Sequence, residues 1–129
     1  MPEPRSFEYA IVRVVPRVER GEFVNAGVIL YCRSLGYLAA AIELDRARLL
    51  ALAPGADVAL IESHLASVER ICRGGPDAGP IGALEQAERF RWLVAPRSTV
   101  IQTSPVHEGV CEDPAAALED AMQTLVRTR

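Results

Sequence analysis

The sequence predicts an α+β fold: a mainly antiparallel sheet of about four strands with helices packed on it. Three observations carry that prediction. β-Branched and aromatic residues crowd the first third of the chain, the turns between those segments are short, and apolar residues at three- and four-residue steps follow later. Strands and helices are therefore segregated along the chain, as in a sheet built from hairpins and covered by helices.

Residues 7–16 (FEYAIVRVVP) read as the first strand, closed by proline. Tyr9, Ile11 and Val15 fall on one face and Ala10, Val12 and Val14 on the other, so both faces are apolar and the strand is central. Residues 17–22 (RVERGE) form a charged turn, and residues 23–33 (FVNAGVILYCR) a second, antiparallel strand. Gly27 inside it marks a bulge or a close backbone approach. Ser34-Leu35-Gly36 turns into a third strand over residues 37–44, which completes a meander.

Asp45 caps a short helix that reaches Leu52, and Pro54-Gly55 ends it. Asp57 caps a longer helix over residues 58–73, where Val58, Ile61, Leu65, Val68 and Cys72 make one apolar stripe. Gly74-Gly75 stops that helix. A further helix is expected from Pro80 to about residues 90–93, with Ile81, Leu84 and Ala87 inward. Residues 98–103 (STVIQT) read as a short strand added to the sheet, and residues 104–112 as loop. Asp113-Pro114 opens a last helix that buries Leu118, Met122 and Leu125.

The chain has 129 residues, enough for one domain spanning 1–129 with a core that needs no staples. Apolar runs fall short of the ~20 residues that cross a bilayer. Met1-Pro2-Glu3-Pro4-Arg5 lacks the apolar stretch of a signal peptide, so a soluble cytoplasmic protein is expected. Cys32, Cys72 and Cys111 are odd in number and widely spaced, which argues against a disulfide framework or a structural zinc site; no metal and no cofactor are expected. Cys32 and Cys72 read as core residues. All fourteen basic residues are arginine, which codon usage in a GC-rich bacterial genome explains without selection for guanidinium chemistry. The net charge of −3 and an aromatic content of 5% disfavour nucleic acid as the partner but leave room for a local arginine site. An edge strand in so small a sheet must be covered, and a homodimer is one way to do so.

Two segments hold polar groups in unusual places. In the hairpin, Arg13 interrupts an apolar strand. Pairing Val15 with Phe23 sets Arg13 across from Asn25 on one face. The structural reading is a buried Arg13–carboxylate pair, for instance with Glu43, and the functional one is an anion-binding fork. Arg17 and Arg20 read as solvated turn residues that could join such a surface. In the second segment, Arg97, Ser98 and Thr99 could surround an anion at a turn, Gln102 could bond a base or amide, and His107 sits in a loop, where a working histidine suits. Solvation is the ordinary reading for His107, and Trp92 reads as a core anchor. His64 is placed on the exposed flank of its helix. Nucleophilic catalysis has little support: Ser98, Ser104 and Cys111 lie near His107, yet no Gly-x-Ser-x-Gly elbow occurs.

These segments also carry a resemblance. Phe7-x-Tyr9 with the run from Arg13 through Asn25-x-Gly27 to Cys32, and later Arg91-Trp92-Leu93-x-Ala95-Pro96-Arg97-Ser98-Thr99-x-Ile101-Gln102-x-Ser104-Pro105-Val106-His107-x-Gly109, resemble the bacterial family DUF3037. The resemblance runs from about Phe7 to the final helix. It implies a short bacterial protein of unassigned function, often encoded beside a HipA-like kinase, and it brings no catalytic residues. The expectation is a non-catalytic accessory or regulatory binding domain acting with a partner protein, such as a HipA-like kinase. Arg13 and Arg97 would then share one polar surface. The rival is a small enzyme on a phosphorylated or nucleic-acid substrate, with Arg13 and Arg97 holding the anion and His107 as acid or base.

Overall fold

The structure, a computed structural model, describes residues 3–127. Met1 and Pro2, at the head of the stretch read for a leader, lie outside these residues, as do Thr128 and Arg129. The elements run β1 (Arg5–Val14), β2 (Val24–Cys32), β3 (Tyr37–Ile42), α1 (Arg46–Leu52), α2 (Val58–Arg73), α3 (Gln86–Val94), β4 (Ile101–Thr103), β5 (His107–Cys111) and α4 (Pro114–Leu125). The fold is α+β, with an antiparallel sheet of five strands.

β1 is central. β2 pairs along one edge, with β3 outside it, while β4 and β5 lie end to end along the other. β4 takes Val12 to Val14 and β5 takes Arg5 to Tyr9. The register shifts between Val12 and Arg13, which is the bulge that Gly27 announced. Gly27 also answers a close approach, since a Cβ there would stand 2.5 Å from the Ala41 carbonyl oxygen on β3.

Alternation sends successive residues of β2 into different cores. Val12, Val14, Ile29 and Tyr31 pack with Leu49 of α1, Ile61, Leu65 and Val68 of α2, and Phe90 and Leu93 of α3. Val28, Leu30 and Cys32 pack on the other face against Leu118 and Met122 of α4, and Val126 just beyond it. Asp45, Asp57 and Asp113 cap α1, α2 and α4 through hydrogen bonds from Arg48, Leu60 and Ala115 N–H.

Three local expectations change. The helix expected from Pro80 is a 3₁₀ segment, Pro76–Ala83, kinked at Gly79 (φ 66°, ψ −154°), and α3 starts only at Gln86 because Leu84 and Glu85 are extended. β4 is shorter than expected: Ser98 to Val100 form a turn. The segment read as loop after Ser104 contains β5, a polar strand (HEGVC) held by its pairing with β1 rather than by its own propensity.

Candidate functional site

Arg13, Asn25 and Gln102 form one row across the sheet. Arg13 pairs with Asn25 on β2 and with Gln102 on β4, and cross-strand partners share a face. That face is the one α4 covers, opposite Val12 and Val14. The expected Arg13–Asn25 juxtaposition is therefore present. Asn25 Nδ2 donates to the Leu125 carbonyl at the end of α4 (3.0 Å), which fixes the amide so that Oδ1 is turned away from that carbonyl. Oδ1 is buried without a partner among the described residues, and so is Arg13 Nε. The Arg13 guanidinium lies over the Phe23 ring, 4.2 Å from its centroid.

The expected Arg13–Glu43 pair does not form. Glu43 accepts from Arg127 Nε at 3.0 Å, and the same guanidinium also meets Glu119. The turn cations are compensated too: Arg17 pairs with Glu19 and Arg20 with Glu22, all exposed, as expected of solvated turn residues. The hydrogen bond from Arg20 holds the Glu22 carboxyl below the ordinary carboxylate value. Arg13 is thus a half-buried cation with no carboxylate among the described residues.

On the opposite face, a cavity of about 390 Å³ opens between the sheet, α2 and α3. Val12, Ile29, Val68, Ile71 and Leu93 form its apolar wall, while His64, Trp92, Arg97 and Thr99 stand at its rim. Trp92 is not the expected core anchor. It is 40% exposed, with the Arg97 guanidinium stacked over it 4.5 Å from the ring centroid. Phe90 and Leu93 take the buried side of α3, which turns Trp92 outward. Arg97 donates to the carbonyls of Trp92 and Ala95. Thr99 Oγ1 donates to Ile101 O (2.8 Å) and Gln102 Nε2 to Thr99 O (2.9 Å), so these side chains close their own turn rather than surround an anion. Ser98 is exposed beside them. His64 is exposed as expected.

His107 lies in β5, not in a loop. It is exposed, pairs with Tyr9 and lies 5.3 Å from it, ring to ring. Tyr9 is four residues from Arg13 along β1, about 13 Å at strand rise. Arg97 lines the cavity on the Val12 side, so Arg13 and Arg97 lie on opposite faces of the sheet. The single polar surface expected from the two segments is not formed, and Arg13, Arg97 and His107 do not converge on one small anion. Neighbouring strand positions face opposite ways, and the turn before β4 leads back to α3.

Two polar residues that are prominent in the structure have other tasks. Ser104 is buried where β4 gives way to β5; its Oγ accepts from Ile11 N–H (2.8 Å) while its own N–H donates to Ile11 O. It fills the break in the ladder that Pro105, lacking an N–H, imposes. Arg89, not singled out from the sequence, is 8% exposed and donates to the carbonyls of Ile71 (2.8 Å), Cys72 (2.6 Å) and Leu84 (2.9 Å). The one sequence signal for it is a helix end, Gly74-Gly75, whose last carbonyls need donors. Burial pushes the Cys72 thiol up to about 12, and Cys32 is buried as well. Among the described residues, no group of three or more His, Cys, Asp or Glu could hold a metal ion, and no helix is long and apolar enough to cross a membrane.

The family described as "Protein of unknown function (DUF3037)" matches residues 9–126. Comparison with curated proteins and with solved structures gave no match.

Proposed function

We propose, from the premise that this chain belongs to the DUF3037 family, that it is a non-catalytic accessory or regulatory binding domain acting with a partner protein. One observation carries the reading: the open apolar cavity between the sheet, α2 and α3, with Trp92 and Arg97 at its rim. Its volume and lining suit an apolar anchor side chain presented by a partner. Tryptophan and arginine are both enriched among the residues that dominate the energy of such interfaces. The hydrogen bonds of Arg97 go to backbone carbonyls and no carboxylate among the described residues pairs with it, so the partner segment should carry an acidic residue next to its anchor.

The resemblance to a family often encoded beside a HipA-like kinase names that kinase as the first partner to test. Three free cysteines suit a reducing bacterial cytoplasm. The experiment is co-expression of the chain with a HipA-like kinase from its own host, followed by size-exclusion chromatography and titration calorimetry. A stoichiometric complex is expected. Trp92→Ala should weaken it by tenfold or more (about 1.4 kcal/mol per decade). Ser67→Phe, which puts a ring into the cavity from α2, should do the same, with melting temperatures close to wild type for both. A complex indifferent to both substitutions would show that the cavity is not the docking site; no complex at all would remove the kinase.

A further inference from the structure

Arg13 and Asn25 lie on the other face of the sheet from that cavity, while Gln102, next to Arg13 in register, also borders it. Burial takes water from Arg13 Nε, which has no partner among the described residues, and only the Phe23 ring stands against the guanidinium in place of a counter-ion. Proteins normally answer with a carboxylate, but none among the described residues pairs with Arg13, and Glu43, the partner expected from the sequence, is engaged by Arg127. The groups set beside Arg13 are neutral: the Phe23 ring beneath it, and Asn25 and Gln102 as its partners on β2 and β4, the Gln102 amide itself donating to Thr99 O. The end of α4 adds the partial negative charge of its last carbonyls, about half a unit at most, against a full positive charge on Arg13. A net cation is left.

We propose that this row is a binding site for an external carboxylate, held by the terminal Nη1–Nη2 edge of Arg13. Each neighbour has a part. Phe23 stacks under the guanidinium and sets its plane. Asn25 stands behind it, with Nδ2 committed to Leu125 O and Oδ1 left as an acceptor. Cβ atoms of directly opposed residues are about 4.5–5.5 Å apart, so a small rotation of the guanidinium pairs Nε with Oδ1 and presents the fork outward. Ligand binding and that pairing would reinforce each other. One uncompensated positive charge matches a monoanion better than a phosphate dianion, because Arg17 and Arg20 are neutralised by Glu19 and Glu22. A carboxylate also fits the fork with two parallel hydrogen bonds.

The test uses the full chain and the Nε–H resonance of Arg13, assigned by its disappearance in Arg13→Lys. Wild type is titrated with sodium acetate, with a glutamate blocked at both ends, with inorganic phosphate, and with sodium chloride at matched ionic strength. A saturable shift with either carboxylate is expected, at tenfold or more lower concentration than any chloride effect. Tighter binding of the blocked glutamate would point to an acidic protein side chain, tighter binding of acetate to a free small molecule. Gln102→Glu supplies the decisive variant. It places an internal carboxylate directly across from Arg13 while disturbing only one exposed hydrogen bond. The fold should be kept and the acetate response lost. A response to acetate no different from chloride, or undiminished in Gln102→Glu, would overturn the site. Saturation by phosphate at lower concentration than by either carboxylate would overturn the ligand class. None of these measurements involves the kinase, so the docking reading and this site can fail separately.

Discussion

On one side of the sheet, Arg89 is buried against three backbone carbonyls; on the other, Arg13 is half-buried, with its Nε bonded to nothing among the described residues. The carbonyls that Arg89 meets include those of Ile71 and Cys72, in the last turn of α2, where Ile71 O also accepts from the Gly74 N–H that caps the helix. Gly74 makes the arrangement possible: it is at φ +74°, and a Cβ there would stand 2.9 Å from Arg89 Cζ. Arg13 has no carboxylate partner among the described residues, and the amide oxygen of Asn25, its partner on β2, is not engaged. The two residues share a type, and differ in enclosure and in what their donors meet. A guanidinium that closes a helix end is part of the scaffold. One held in place by stacking alone keeps its hydrogen-bonding capacity for something else.

The comparison is sharpest in its effect on stability. Arg89→Met keeps the stem and removes the donors, so the carbonyls of Ile71, Cys72 and Leu84 lose their shared partner inside the core. Hydrogen bonds to a charged group contribute roughly 1.5–3 kcal/mol each, and they share one side chain here, so a loss of about 3–5 kcal/mol is expected in urea unfolding. Arg89→Lys should recover only part, since an ammonium lacks the planar fork that spans the gap from Leu84 to the end of α2. A loss below about 1 kcal/mol would mean that the α2 end does not depend on Arg89, and the contrast with Arg13 would collapse.

What the sequence made legible follows the range of the interactions. The first three strands, the caps at Asp45, Asp57 and Asp113, and the bulge at Gly27 are written in neighbouring residues and were read correctly. The Arg13–Asn25 pairing was also legible, because one short turn sets the register of the hairpin. β5 was not, since its polar residues become a strand only because β1 offers a free edge. Nor was the Pro80 region, where Gly79 and the extended Leu84-Glu85 pair divide what looked like one helix. The separation of Arg13 from Arg97 was beyond reach for the same reason. It depends on α3 packing against α2 and on the turn from Ala95 to Val100 returning along the cavity side. Arg89 is the plainest case: its three acceptors lie five, seventeen and eighteen residues away, and nothing local marks it.

Ser104 supplies an intermediate case, a neutral side chain that completes the sheet where the backbone cannot. Ser104→Ala leaves Ile11 N–H without an acceptor in the middle of the central strand. The expected cost is about 1–3 kcal/mol, the range for stranding one buried donor. Hydrogen exchange locates it: the Ile11 amide should exchange faster relative to Ala10 and Val12 than it does in wild type. Uniform acceleration across β1 would mean that the substitution only lowers global stability, and Ser104 would not be the local partner the geometry makes it.

Arg13→Met should have the smallest effect. The substitution removes the stacking over Phe23, worth about 0.5–1 kcal/mol at a partly exposed site. It also removes a buried Nε that had no partner, which offsets the loss. The methionine keeps an apolar stem of similar reach in its place. The net change in urea unfolding should stay within about 1 kcal/mol of wild type, with either sign, against the several kcal/mol expected for Arg89→Met. That asymmetry is the point of the measurement. A residue that contributes nothing to the fold, near the end of the central strand where an apolar side chain would serve, needs a reason to be charged. A small stability change together with loss of the acetate response would place that reason in binding. A cost as large as that of Arg89→Met would instead give Arg13 a structural partner, and the two faces of the sheet would use arginine in the same way.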